Sequence, residues 1–461
     1  MKLNYKQTFL IGFGFFASSI AWAVYNNFVP ILLKNYLTST TLIGIVMTFD
    51  NIFGVIFQPV FGALSDKTHT RFGRRMPFIL IGIPICAVAF PFIPFTKSLF
   101  ALMAVVIIFN FVMSIWRAPV VALMPDLTPP PLRSQANGII NFMGGLGSLF
   151  AFFAGGFLFK LGGIPLPFLS SAVLMLLAVI VLKLFVRENI SPAYKTELGS
   201  DTGTDLGTDL GTDLGSDVGS GEGPDVSPSV ASEFGTEYSA EYESGLGTAL
   251  KDKPLFKAGI PRVTDKNKSL LFLLLAILFW FTGYNAVETF FSLYVTNTLK
   301  DSSGNLLTAG DASLLLAMFS LSFLFFSIPA GFISQKIGRK QTILIGLFGV
   351  MLLFTLMMFT DNILILRILL LSGGVFWACV NINSLPMVVE MAKWKDIGRY
   401  TGYYYFFSFS AAIISPILFG LIRDLVISYD SLFIYSAVAF GVAIICMFCV
   451  KHGEAEKIVK S

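Results

Sequence analysis

The chain has 461 residues, of which 55% are hydrophobic and 13% are charged, and its formal net charge is +4. This small share of charged residues cannot cover the surface of a soluble protein of this length. Most of the outer surface must therefore face lipid. Its 48 phenylalanines suit a hydrocarbon environment. The small net charge does not favour binding to nucleic acid.

Apolar runs long enough to cross a bilayer occur twelve times, since a hydrocarbon core about 30 Å thick needs roughly 20 helical residues. Six lie near 8–32, 41–63, 77–95, 98–123, 136–158 and 164–186, and six near 269–297, 310–335, 341–359, 362–388, 399–422 and 431–450. We therefore predict an all-α membrane protein with twelve transmembrane helices in two six-helix pseudo-repeats. The first run is too long for the apolar region of a cleaved signal peptide.

Residues 189–266, between the two sets, contain no apolar span. Gly-Thr-Asp-Leu repeats within 203–214, and acidic residues continue to about 243. Glycine, aspartate and mutual charge repulsion predict a disordered linker. A calcium-binding repeat is the alternative, but the known calcium β-roll has a nine-residue period rather than four. The predicted domains are 1–188, a six-helix bundle; 189–266, the linker; and 267–461, a second six-helix bundle.

The short loops differ in their content of lysine and arginine. Basic residues cluster in Lys67–Arg75, Lys336–Lys340 and Lys393–Arg399, whereas the loops that face the other way carry about one each. Because basic loops stay on the cytoplasmic side, these three loops are predicted to be cytoplasmic. Both termini and the linker are then cytoplasmic too, in a multi-pass protein of the cell membrane.

The two sets of spans match one another at several places. Gly62–Lys67 ends the second span and Gly331–Lys336 ends the eighth, with a shared Gly-x-x-Ser-x-Lys pattern. Other pairs recur in the same order: Trp116 with Trp377, Pro125 with Pro386, and Tyr25-Asn26 with Tyr284-Asn285. This indicates a duplicated six-helix unit. Parallel repeats of this kind occur in transporters that bind substrate near the midplane, between the halves.

The stretch Gly62–Arg75 resembles the signature cytoplasmic loop of the major facilitator superfamily, G-x-L-S-D-K/R…G-R-R/K. Its longer form, with residues 68–72 inserted, resembles the sugar–cation symporters, as do residues 117–127 and 133–138. Within them the similarity is to the branch that contains plant sucrose transporters. The resemblance implies alternating access with a cytoplasmic gate. The gate residues it implies are Asp66, Arg71, Arg74, Arg75, Asp126, Arg133, Gln335 and Arg339.

Two departures from the family pattern bear on the coupling ion and on the gate. In the related melibiose-type symporters an aspartate precedes the proline of span two and helps to bind the cation. Here Gln58 stands at that position and Gly54 one turn earlier. The resemblance therefore implies proton rather than sodium coupling. Gln335 replaces the aspartate of the second-half loop, which implies an asymmetric gate.

Three ionisable side chains are predicted inside the membrane, where each costs several kcal/mol and is a functional candidate. Asp50 lies roughly 14 Å from the outer end of its span, near the midplane. A carboxylate there must pair with a cation or carry a proton, which suits a proton carrier, although a hydrogen bond to Asn51 would also satisfy it. Arg117 is a counter-ion, sugar-donor or gate candidate, and Glu288 a candidate for binding substrate or a proton.

Sugars are bound by planar polar side chains and by aromatic rings that cover their C–H faces. The predicted substrate-binding residues are Tyr25, Asn26, Asn27, Trp116, Arg117, Asn141, Tyr284, Asn285, Glu288, Trp377, Asn381 and Asn383. One ring of Tyr403–Tyr405 is also expected to contribute. The alternative for each is helix–helix packing, for which polar side chains are often used in membrane bundles.

No catalytic, metal-binding or cofactor-binding pattern is present, so an enzyme is not predicted, and neither is a cofactor or a metal site. Cys446-x-x-Cys449 is interpreted as one face of a membrane helix. The leading hypothesis is a monomeric, proton-coupled symporter of a sugar or glycoside, with Asp50 as the proton carrier. The alternatives are an exporter or carrier of another small neutral solute, and a non-transporting membrane sensor with the acidic segment as its output arm.

Overall fold

The computed structural model describes residues 3–128, 132–186, 188, 265–392 and 397–454. The helices of the first half are α1 (Tyr5–Lys34), α2 (Thr40–Met47), α3 (Phe49–Lys67), α4 (Met76–Ala89), α5 (Leu99–Leu127), α6 (Arg133–Gly162) and α7 (Pro165–Phe185), with a 3₁₀ turn at Phe90–Phe95. Those of the second half are α8 (Asp265–Thr298), α9 (Ala309–Ile337), α10 (Arg339–Met357), α11 (Ile363–Glu390), α12 (Ile397–Val426) and α13 (Ser431–Cys449).

Twelve helical spans in this described part of the chain are long and apolar enough to cross a membrane. They coincide with the twelve predicted runs, so the predicted all-α, twelve-span fold is confirmed. Many large apolar side chains stand outward, such as Phe100, which is 86% exposed. An exterior of this kind requires lipid rather than water. The linker prediction falls on residues outside the described ranges, except for its last two positions, which belong to α8.

The second predicted span is two helices rather than one. Helix α2 ends at Met47, helix α3 begins at Phe49, and Thr48 between them is 1% exposed. The Thr48 hydroxyl donates to the Ile45 carbonyl at 2.7 Å, which turns a side chain onto the last turn of α2. The irregularity is one residue long, because the Thr48 N–H still donates to the Gly44 carbonyl at 3.1 Å and the Ile52 N–H donates to the Thr48 carbonyl at 3.0 Å. Interrupted spans line binding sites in other transporters. The break puts Asp50 in the first turn of α3.

Glycines set the close packing of several helix pairs. A Cβ built on Gly147 of α6 would lie 2.6 Å from the Phe16 carbonyl oxygen of α1. Gly374 of α11 lies against α9, where a Cβ would lie 2.7 Å from the Phe323 amide nitrogen and closer still to the Phe319 carbonyl oxygen. Small residues at such crossings let helix backbones approach in a membrane, where packing drives association.

Gly374→Ala is therefore expected to destabilise the second half by roughly 1–3 kcal/mol, because the methyl group meets helix backbone that cannot turn aside. Thermal unfolding of the detergent-purified protein measures the loss. The matched control is Gly331→Ala in α9, where a Cβ meets nothing within 4 Å. Equal melting temperatures for the two variants would contradict the close approach.

The two halves meet mainly at one end of the bundle. We call the end that carries Lys67–Arg75 and Arg339 the basic-loop end, and the other the opposite end. At the opposite end Lys160 of α6 pairs with Asp311 of α9 at 2.7 Å. A Cβ on Gly156 of α6 would lie 2.7 Å from the Gly310 carbonyl oxygen of α9, and α2 touches α12 equally closely. Among the described residues, these contacts close the opposite end.

Candidate functional site

Asp50 is the first site residue to consider, because its carboxylate sits at the break between α2 and α3. One oxygen accepts from the Asn51 backbone N–H at 2.6 Å and from the Asn51 side-chain amide at 2.7 Å. The group also interacts electrostatically with Arg117 of α5 and with Glu288 of α8. All three side chains are half-buried within membrane spans: Asp50 lies in the first turn of α3, and Arg117 and Glu288 lie inside α5 and α8. Half-buried charges inside membrane spans indicate a polar cavity rather than a dry core.

Arg117 lies further from the basic-loop end of its helix than the predicted span 98–123 implies. Helix α5 continues to Leu127, so Arg117 is about 15 Å from the basic-loop end at the usual helical rise. Its guanidinium lies 5.4 Å from the ring centre of Trp22, a cation–π distance. It also interacts electrostatically with Asp50 and with Tyr405 of α12. The cation therefore faces a carboxylate of its own half and a phenol of the other half.

Glu288 and Asn26 form a direct polar link between the halves near mid-membrane. The Asn26 amide on α1 donates to the Glu288 carboxylate on α8 at 3.2 Å. The sequence predicts each of them separately as a substrate contact, and the structure places them on one another. A solute that binds either side chain must compete with this bond.

Tyr25 and Tyr284 occupy matching positions of the repeat and behave differently. The fully buried Tyr25 stacks on Phe109 at 5.5 Å, and its hydroxyl accepts from Asn110 at 3.2 Å. Tyr284 is half-buried and stacks on Trp377 at 4.3 Å with the rings nearly parallel, 2° apart. Only the second ring pair therefore offers a partly open aromatic surface.

Several predicted substrate contacts lie in helix packing. Trp116 is fully buried, and a Cβ on Gly82 of α4 would meet its side chain at 2.7 Å, so it faces α4. The amides of Asn285 and Asn383 donate to carbonyl oxygens one turn earlier in their own helices, Phe281 at 2.7 Å and Cys379 at 2.9 Å. Trp116 therefore packs between helices, while the two amides bond within their own helices. A substrate-binding role for these residues stays a prediction.

The remaining predicted amides fall into three environments. Asn27 is 1% exposed, and neither of its side-chain amide atoms has a hydrogen-bond partner among the described residues. Asn381 is half-buried, with its backbone carbonyl accepting from Ser384 at 2.8 Å. Asn141 is exposed and donates to the backbone and side-chain oxygens of Asn137 at 2.9 and 3.0 Å. Asn141 thus remains the most open of the polar candidates in the first half.

The predicted gate residues of the first half form a compact ion cluster at the basic-loop end. Arg75 is 5% exposed; its guanidinium pairs with Asp66 and with Asp126 at 3.0 Å, and donates to the Ser65 hydroxyl at 2.5 Å. Arg74 pairs with Asp126 at 2.7 Å. These pairs all lie within the first half. The cluster fixes the α3–α4 loop against the end of α5.

Glu188, which the sequence does not single out, completes this cluster. Its carboxylate accepts from the backbone N–H of Arg75 at 2.9 Å and of Met76 at 3.2 Å, so it caps the N-terminus of α4. In the second half Glu454 does the same for α10, accepting from Arg339 N–H at 2.7 Å and Lys340 N–H at 2.8 Å. Each of the two carboxylates follows the last helix of its half.

The other predicted gate residues are distributed less tightly. Arg339 pairs with Glu390 at 2.7 Å, again inside one half. Arg71 is exposed and lies over its neighbour Phe72 at 4.8 Å, and Gln335 is exposed at the end of α9. The side chain of Arg133 lies outside the described part of the chain.

Tyr405 faces the space between the halves, although the sequence does not indicate which of Tyr403–Tyr405 would do so. It is 39% exposed on α12 and interacts with Arg117 across the space between the halves. The neighbouring Tyr404 is buried instead and shares a 3.0 Å hydrogen bond with Ser384. Three consecutive tyrosines in a helix point in different directions, so their order alone does not identify the one that faces the cavity.

The sequence profile of the Major Facilitator Superfamily matches residues 11–310 and 300–460, and the chain belongs to this superfamily. Membership of this superfamily, together with the twelve-span fold, makes the chain a secondary transporter, a protein of transport rather than of catalysis.

Among relatives, the sucrose transport protein SUC3 of Arabidopsis thaliana is 30% identical over 126 residues, 23% of this chain and 21% of that protein. Multidrug resistance protein MdtG of Proteus mirabilis is 31% identical over 174 residues, 37% of this chain and 42% of that protein. The human proton-associated sugar transporter A is 34% identical over 79 residues, 17% of this chain and 10% of that protein. The chain thus matches less than half the length of each.

Solved structures share the fold over nearly the whole chain. A mutant of the nucleoside transporter NupG matches with a TM-score of 0.66 at 14% identity, covering 96% of this chain and 98% of that one. A mutant of the peptide transporter POT matches with a TM-score of 0.64 at 12% identity, covering 97% and 95%. At these identities the likeness concerns the fold alone.

Proposed function

We propose that the protein is a proton-coupled symporter of a sugar or glycoside, which works by rocking its two halves about a central cavity. The observation that carries the proposal is the half-buried group of Asp50, Arg117 and Glu288 at mid-membrane. Two carboxylates and one guanidinium leave one acidic group without a cation of its own. A group of this kind can take up and release a proton as its surroundings change.

Neutral, polyhydroxylated solutes suit the rest of the cavity. The ring face of the Tyr284–Trp377 stack can cover a sugar's C–H surface. Asn26, Glu288 and Arg117 together offer hydrogen-bond donors and acceptors to its hydroxyl groups. The relatives include a plant sucrose transport protein and a human proton-associated sugar transporter. We assign the predicted basic loops and both termini to the cytoplasm, so the observed state is closed on the outside.

Uptake into proteoliposomes tests the proposal. Vesicles are loaded with a pH-sensitive dye and given an inward proton gradient and a panel of labelled mono- and disaccharides. Uptake of one sugar with simultaneous acidification of the lumen is expected. A panel that yields neither uptake nor counterflow at any pH, from protein that elutes as a single folded species, would refute a sugar symporter.

An exporter of an aromatic or amphipathic solute is the second candidate. MdtG and the efflux pump PmrA of Streptococcus pneumoniae match longer stretches of this chain than the sugar transporters do, 37% and 42% of it. The cavity also contains several rings, and these suit an apolar drug-like solute. Proton-driven uptake of a fluorescent dye into inverted vesicles, without sugar uptake, would favour this candidate.

The sensor hypothesis from the sequence rests on the acidic segment alone. Deleting residues 200–245 tests it directly, because a sensor would lose its output arm while a transporter would keep its path. We expect the deletion variant to transport at the rate of the intact chain. Loss of a signalling output on deletion, from an intact chain that transports no solute in either assay, would revive the sensor.

A further inference from the structure

Asp424 joins the two halves at the opposite end of the bundle. It lies in the last turn of α12, and its carboxylate accepts four hydrogen bonds from the start of α2. The donors are the Ser39 hydroxyl at 2.6 Å, the Thr40 N–H at 2.7 Å, the Thr41 N–H at 3.0 Å and the Thr41 hydroxyl at 2.9 Å. One carboxylate of the second half is thus saturated by three successive residues of the first.

The contact supplies what a helix start lacks. The first amides of an α-helix have no partner within the helix, and a negative charge there is favoured by the helix dipole. A capping side chain usually belongs to the residue just before the helix. Ser39 has this role here, because its hydroxyl accepts from the Leu42 N–H at 3.3 Å. Asp424 caps from the other half of the molecule. The additional cap therefore exists only while the two halves touch at this end.

Backbone contacts place the same two helices in close register. A Cβ on Gly420 of α12 would lie 2.6 Å from the Thr41 Cα, and a Cβ on Gly44 of α2 would meet the Pro416 carbonyl oxygen. This close approach holds the start of α2 within hydrogen-bond reach of Asp424, whose side chain is 24% exposed. The four hydrogen bonds are charge-assisted, because the acceptor is a carboxylate.

A second seam, related to the first by the internal repeat, closes the other side. There α6 and α9 meet through the Lys160–Asp311 pair at 2.7 Å and through the Ser313 hydroxyl, which donates to the Phe152 carbonyl at 2.8 Å. Each seam joins the fifth span of one half to the second span of the other. The fifth spans are α6 and α12, and the second spans are α9 and the pair α2–α3. Opening of the opposite end must part both seams together if the halves move as rigid bodies.

Helix α2 also connects Asp424 to the centre of the molecule. Its eight residues span about 12 Å between the Asp424 contacts and the break at Thr48. Asp50 follows that break by two positions. A displacement of α2 at its capped end is therefore transmitted to the backbone beside Asp50.

We propose that Asp424 is a positioning residue of the transport cycle, which holds the opposite end closed by capping α2 across the halves. Its release frees α2 to pivot at Thr48 and lets the opposite end open. The proposal holds for any transported solute, because it concerns the closure that every cycle must undo.

Hydrogen–deuterium exchange of the full chain in lipid nanodiscs tests the proposal. Asp424→Ala is expected to speed exchange at the start of α2 by about fivefold, the factor that loss of an N-cap typically produces. A similar increase is expected in the second seam, at 152–160 and 309–313, although no atom there touches Asp424. Asp424→Asn keeps a capping oxygen without the charge, so its exchange rates should lie between those of Asp424→Ala and those of the intact chain.

Asp430→Ala is the matched control, because this acid at the same end bonds Ser428 within its own loop. It should leave both seams unchanged. Faster exchange that stays confined to α2 in Asp424→Ala would mean a local cap only, and would overturn the proposal. Unchanged exchange at both seams would overturn it too. Thermal unfolding of each variant identifies a general loss of folding, in which all helices would exchange faster together.

Discussion

Asp50→Asn is expected to abolish solute accumulation driven by a proton gradient, while solute exchange across the membrane continues. At one proton per solute, a gradient of one pH unit can sustain about tenfold accumulation, since each factor of ten corresponds to about 1.4 kcal/mol. Asparagine keeps the size and one oxygen of aspartate, so it can still accept the Asn51 N–H bond. It cannot carry a proton on and off, so accumulation should fall to about onefold.

The measurement compares labelled solute inside and outside proteoliposomes at equal and unequal pH, together with counterflow at zero gradient. Asp361→Asn serves as control, because Asp361 is an exposed acid in a loop at the opposite end. Full accumulation by Asp50→Asn would remove Asp50 as the proton carrier. Glu288 would then be the next group to test, since it shares the cavity and interacts with Asp50.

Arg75→Ala is expected to be the most destabilising single change at the basic-loop end. It removes a nearly buried guanidinium from two carboxylates, the Ser65 hydroxyl and the Gly62 carbonyl, which accepts from it at 3.2 Å. Among the described residues Asp126, whose side chain is 5% exposed, then keeps Arg74 as its ion-pair partner. Breaking a buried ion pair by removing one partner costs about 3–5 kcal/mol.

Thermal unfolding in detergent measures the loss, with Arg71→Ala as control, since Arg71 lies in the same loop but is exposed over Phe72. Arg75→Lys restores the charge without the planar fork and should recover only part of the stability. A melting temperature for Arg75→Ala equal to that of Arg71→Ala would show that the cluster contributes nothing to folding.

The number and approximate positions of the spans could be predicted, because each span is a continuous run of apolar residues in the sequence. A helix in lipid must satisfy its backbone internally and stay apolar for about 20 residues, so each span is visible in a window of that length. The loop Gly62–Arg75 was likewise visible as a pattern. Its ion pairs then follow from the meeting of a basic loop with the acidic end of α5.

Contacts between helices could not be predicted in the same way. The bond between Asn26 and Glu288, and the cap of α2 by Asp424, join residues more than 250 positions apart and depend on which end of the bundle is closed. Trp116 shows the reverse difficulty. Its position beside Arg117 suggests a cavity, but successive residues of a helix point about 100° apart, and Trp116 faces α4. Side-chain direction within a span needs the packing of neighbours, which one sequence does not contain.

The break at Thr48 was missed for a related reason. Thr48 lies between apolar residues and has no proline or glycine beside it, so its sequence is that of a continuous helix. The interruption coincides with a hydroxyl that turns back to Ile45 and with packing that buries Thr48. Tertiary contacts therefore override the local signal at this point.

The two capping glutamates bear on how the chain was assembled. Glu188 and Glu454 cap the third-span helices of the two halves, α4 and α10, from the segment that follows each sixth span. A six-helix unit that carried such a carboxylate when it was duplicated would produce this pairing. The second half then closes on its own carboxylate as the first does, so neither cap needs the residues that join the halves.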